Sequence, residues 1–83
     1  MIKYPIAIMC DEMADPFIEV KDMAKRMPWM EHLISHSVNY GCVLSGAMPQ
    51  SEVLYYDVIF ELTEEDMALY VLLYGEVFVC GFN

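Results

Sequence analysis

Basic side chains are scarce: four Lys and Arg stand against thirteen Asp and Glu, and none lies beyond Arg26. Phosphate backbones and anionic headgroups are held chiefly by Lys and Arg, so direct nucleic-acid binding and membrane-surface binding are both disfavoured. Cysteine is scarce too. Cys10, Cys42 and Cys80 are odd in number and too far apart for a CxxC redox or zinc motif. The four glycines, Gly41, Gly46, Gly75 and Gly81, form no GxGxxG or P-loop pattern, which leaves a nucleotide cradle unsupported. Asp11, Glu12 and Asp15 miss the spacing of a calcium loop and read as a solvated turn. Long hydrophobic runs are also missing. The uncharged stretch from His32 to Ser51 contains His, Asn, Gln, Pro and Ser and cannot span a bilayer. The apolar stretch from Tyr4 to Cys10 is seven residues long and runs into Asp11 and Glu12, unlike a secretory signal. The expected location is cytoplasmic, with the thiols acting as small apolar residues.

What is present in excess is apolar side chain and negative charge. The AVILMFWYC share is 58% of 83 residues, in a chain of 9.6 kDa with a formal net charge of −9. That length makes a single domain over residues 1–83, and a domain this small hides only about 60% of the surface its unfolded chain exposes. More apolar side chain is available than one small globule hides, so association is expected. The charge is uneven: residues 1–26 are nearly balanced, whereas residues 27–83 carry eight carboxylates and no Lys or Arg.

Ile2, Tyr4, Ile6, Ile8 and Cys10 alternate with Lys3, Pro5, Ala7, Met9 and Asp11 at the period of a strand, with Pro5 requiring an unpaired N–H position. Asp15-Pro16 is a helix opening, and Phe17, Val20, Met23, Ala24 and Met27 then follow at helical spacing. Pro28 interrupts that helix, and Trp29 to His36 fits a further short one. From Val38 the period drops to two through Leu44, a turn is expected over Gly46–Ser51, and Glu52 to Leu62 is rich in strand formers. Thr63 with Asp66 resembles a capping box, Glu64, Glu65 and Asp66 complement a helix dipole, and Gly75 is placed to close that helix with a left-handed cap. Val77 to Phe82 reads as a last strand. The order βαββαβ predicts an α+β, ferredoxin-like plait: a four-stranded antiparallel sheet with two main helices on one face and an extra short helix after the first.

Alternation predicts that Ile6, Ile8, Leu54, Tyr56, Val58 and Phe60 point toward the helices. Met9, Val43, Tyr55 and Ile59 then fall on the bare face, the expected interface of a homodimer. His32 and His36, four apart, could share a metal with Cys42 or Glu31, but no HExxH or second cluster accompanies them, so neither metal nor cofactor is expected. No acid, base and nucleophile converge on a recognisable catalytic pattern, so no enzymatic activity is expected.

The acidic hairpin and the helix start after it remain as candidate chemistry. Asp57 and Glu61 share a strand face, and Glu64, Glu65 and Asp66 follow. These five residues are expected to meet a basic protein surface, with Tyr55 and Trp29 as aromatic anchors. In size, charge and compactness the chain resembles small acidic phage-encoded antagonists of bacterial nucleic-acid enzymes, including anti-CRISPR and other DNA-mimic proteins. That resemblance implies an inhibitor whose carboxylates stand in for phosphates. The alternative expectation is a ligand-binding regulatory plait that dimerises, with Tyr, Met and Phe lining an apolar pocket and Trp29 reporting on it.

Overall fold

The computed structural model describes residues 1–75. Three strands and three helices follow one another as β1 (Ile2–Asp11), α1 (Pro16–Arg26), α2 (Pro28–His36), β2 (Asn39–Met48), β3 (Val53–Leu62) and α3 (Glu64–Tyr74). The sheet order is β1-β3-β2, with β3 antiparallel to both neighbours. β1 and β2 therefore run parallel to each other with β3 between them, and α1 and α2 make the crossover that such a pair requires.

Local chemistry sets the helix boundaries. The Asp15 carboxylate accepts from the Phe17 N–H at 2.9 Å, and Pro16 fills the first turn, where no N–H is needed. Pro28 then splits the first helical region in two. A residue before proline is pushed out of the helical region, and Met27 is extended at φ −123°, ψ 107°. Met27 closes α1 by donating its N–H to the Met23 carbonyl at 2.8 Å, and opens α2 by accepting from Met30 and Glu31. In α3, Thr63 Oγ1 accepts from the Asp66 N–H at 3.1 Å. Gly75 does take a positive φ of 66°, but its ψ of −164° lies outside the left-handed helical cap expected there.

Among the described residues β1 has β3 as its one strand neighbour, an edge position at which Pro5 is tolerated. β2 runs past the expected turn at Gly46: a bulge between Leu44 and Gly46 leaves Ser45 out of register, its hydroxyl donating to the Tyr55 carbonyl at 3.2 Å. The turn proper is the 3-10 segment Pro49–Ser51, followed by Glu52 in the left-handed region at φ 55°.

One core lies between the helices and the inner sheet face. Ile6, Ile8 and Cys10 of β1 and Val58, Phe60 and Leu62 of β3 meet Val20, Met30, Leu33 and Tyr70 from the helices. Leu54 and Tyr56 share that face but are only half-buried. The expected four-stranded plait with two main helices needs correction. Among the described residues the α+β fold has a three-stranded sheet, not a four-stranded one, and three helices, of which α2 is the extra short helix expected after the first, with Pro28 in its first turn. The strand expected over Val77–Phe82 lies outside the described residues.

Candidate protein-interaction face

Among the described residues the outer face of the sheet is free of helices, and its composition follows from register. Across the three strands the rows read Lys3–Glu61–Asn39, Pro5–Ile59–Gly41, Ala7–Asp57–Val43 and Met9–Tyr55–Gly46. Met9, Val43, Tyr55 and Ile59, expected together, do share this face. Met9 and Val43 are 63% and 53% exposed, so the apolar surface there is open. Along β3 the central ridge alternates aromatic, acidic, aliphatic and acidic side chains.

Asp57 occupies the middle of that ridge. Its strand neighbours on the same face are Tyr55 and Ile59, its cross-strand neighbours are Ala7 and Val43, and among the described residues it makes no ion pair. Glu61 differs, because Lys3 stands beside it in register. At a rise of about 3.3 Å per residue the two carboxylates of β3 are roughly 13 Å apart. The whole face measures about 33 Å by 14 Å, roughly 460 Å², against about 800 Å² that each partner contributes to a stable interface. Docking must therefore reach adjoining surface. At the Leu62 end that surface is a shallow hollow formed by Met1, Thr63, Glu64 and Glu65, the last two exposed.

Asp66 and Trp29 are placed elsewhere. The Asp66 carboxylate is occupied within the chain: Thr63 Oγ1 donates to its Oδ2 at 3.1 Å, and His36 Nδ1 lies 3.9 Å from its Oδ1. Trp29 packs half-buried against the core from α2, on the helix side of the sheet. Thus Asp57, Glu61 and Tyr55 share the face and Glu64 with Glu65 extend it, whereas Asp66 and Trp29 do not join them.

The rings of His32 and His36 stack at 4.1 Å with an interplanar angle of 22°. Near-parallel rings aim their nitrogen lone pairs in parallel instead of toward one point, and among the described residues no three His, Cys, Asp or Glu converge as metal ligands. Burial raises the Cys10 and Cys42 thiols above the ordinary value, with Glu19 adding to the first and Cys10 to the second, so neither is an activated thiolate. No described helix is long and apolar enough to cross a membrane.

A groove of about 470 Å³ runs along β1, between Ile8, Met9 and Tyr55 on the sheet side and Glu19, Met23 and Arg26 of α1 with Met27 just after it. Neither Met23 nor Arg26 carried a functional expectation. Their helical spacing was legible, but only the packing of α1 against the β1 edge brings them beside Tyr55. No family model, curated protein or solved structure matches this chain.

Proposed function

We propose that the chain is a non-enzymatic binding protein, an inhibitor or regulator, whose outer sheet face docks on a basic protein surface. The observation that carries this reading is Asp57, a carboxylate that makes no ion pair among the described residues and has Tyr55, Ile59, Ala7 and Val43 around it. Burying an ionised carboxylate without a partner costs several kcal/mol, so the complementary surface must bring a Lys or Arg set among apolar groups. Glu64 and Glu65 would lie at the rim, where charge governs encounter rate more than affinity.

The same argument ranks the forms this reading can take. A face-to-face homodimer would use Met9, Val43, Tyr55 and Ile59, the same surface, and would press two Asp57 carboxylates toward one dry seam while doubling a net charge of −9. A cationic partner removes that penalty and self-pairing does not. Imitation of a duplex is also less favoured than an ordinary mixed interface, because carboxylates roughly 13 Å apart are far sparser than charges every ~3.4 Å along a nucleic-acid strand.

The test is affinity capture from the source cell, at low and high salt, with wild type and Asp57→Lys bait. A nucleic-acid-handling or other basic protein retained by wild type, released by salt and lost with Asp57→Lys supports the reading. An unchanged set of captured proteins, with the variant folded by circular dichroism, removes it. The groove beside β1 favours a second reading, a site for a small apolar ligand. Tyr55, which lines it, would be its spectroscopic reporter, since Trp29 does not.

A further inference from the structure

The α2–α3 seam contains a feature that the binding face does not use. His32 reaches from α2 toward α3, stacked on His36, with its ring 5.5 Å from the Tyr74 ring and 6.1 Å from that of Tyr70. Its Nε2 is sealed from solvent and has no hydrogen-bond partner among the described residues. Among the described residues the ionisable groups set against the pair are Asp66, Tyr70 and Tyr74 from α3, with Tyr4 of β1 behind Tyr70, while Glu31 on α2 accepts from the Ser35 hydroxyl at 2.8 Å. Among the described residues no Lys or Arg makes an ion pair with them.

The two imidazoles are not equivalent. The His36 ring lies in the last turn of α2, with its Nδ1 3.9 Å from the Asp66 carboxylate. A proton on His32 meets a neighbouring imidazole face and aromatic walls, and if placed on Nε2 it finds no acceptor. We propose that the α2–α3 seam is a proton-operated latch, in which His32 holds the stack closed only while its ring is neutral, so that mild acidification opens the seam and loosens α3. Burial lowers the proton affinity of His32, the His36 charge lowers it further, and Asp66 partly opposes both. A histidine whose folded-state value is depressed contributes its full stability above the ordinary value of about 6.5, and that stability is lost as pH falls below it.

This inference rests on the seam alone and is independent of any partner. Amide hydrogen exchange of the full chain at pH 7.5 and 5.5, corrected for intrinsic rates, should show α2 and α3 protection falling by up to about tenfold per pH unit below about 6.5 while β3 stays protected. His32→Phe keeps a ring in the stack without a titrating nitrogen and should abolish that fall. A parallel fall in wild type and variant, or none in wild type, overturns the latch. Should the variant not fold, the wild-type His32 Cε1–H resonance decides: titration below the ordinary histidine value supports the latch, and titration at or above it overturns the latch.

Discussion

Tyr70 is the largest fully buried side chain, and its ring meets Tyr4 at 5.4 Å and Tyr74 at 5.6 Å. Its hydroxyl is sealed without a hydrogen bond of good geometry among the described residues. A buried hydroxyl left unpaired costs about 1–3 kcal/mol, whereas the ring fills the core between α3 and the sheet. Tyr70→Phe should therefore leave stability unchanged or raise it by about 1 kcal/mol, while Tyr70→Ala should lower it by about 3–5 kcal/mol, both read from urea midpoints. Burial, followed by the charge of Tyr4, pushes the Tyr70 phenol well above its ordinary value. A raised phenol disfavours the folded state once the unfolded chain ionises, so this group's contribution is intact below about pH 10 and lost above it. Ultraviolet titration should accordingly show one tyrosine that ionises only as the fold opens, and Tyr70→Phe should remove that step.

α1 and α3 are the same length but depend on different supports. α1 has an amphipathic pattern, with Val20 buried, Glu19 half-buried and Lys21, Asp22, Lys25 and Arg26 exposed. α3 is apolar around most of its circumference, so only Tyr70 is fully buried while Leu72 is 81% exposed and Leu73 is 56% exposed. With little amphipathic contrast to orient it, α3 relies more on its cap, in which Thr63 satisfies the Asp66 N–H and the acidic first turn complements the dipole. Thr63→Ala should cost about 1–2 kcal/mol, at the upper end for a cap, because it also frees the Asp66 carboxylate that faces His36. Asp15→Ala in α1 should cost nearer 1 kcal/mol. Thermal melts of the two variants in one buffer check the order.

The whole molecule sets a net charge of −9 against a bare, half-apolar sheet face. If charge at Asp57 keeps copies apart, Asp57→Asn should increase self-association in sedimentation velocity and weaken capture of a basic partner by roughly 2–5 kcal/mol. A variant as monomeric as wild type would show that the face does not self-pair. Much of this was readable from residues alone. Asp15-Pro16 and Thr63 start helices wherever they occur, and alternation along Ile6, Ile8, Cys10 and along Val58, Phe60, Leu62 separates inside from outside without knowledge of neighbours. The parity that buries Phe60 also places Tyr55, Asp57, Ile59 and Glu61 together on the far side. Three other features were not written locally. Strand order and register decide that Asp57 stands between Ala7 and Val43 while Glu61 stands beside Lys3, residues distant in sequence that only pairing brings together. The sheet edge left to β1 decides which α1 side chains form a groove with Tyr55, and the meeting of α2 with α3 converts two histidines at metal-like spacing into a stack against Asp66. Sequence sets each residue's helical or strand preference and its inside or outside face because those depend on adjacent atoms, whereas the compensation or isolation of a charge depends on long-range neighbours, which only the tertiary fold supplies.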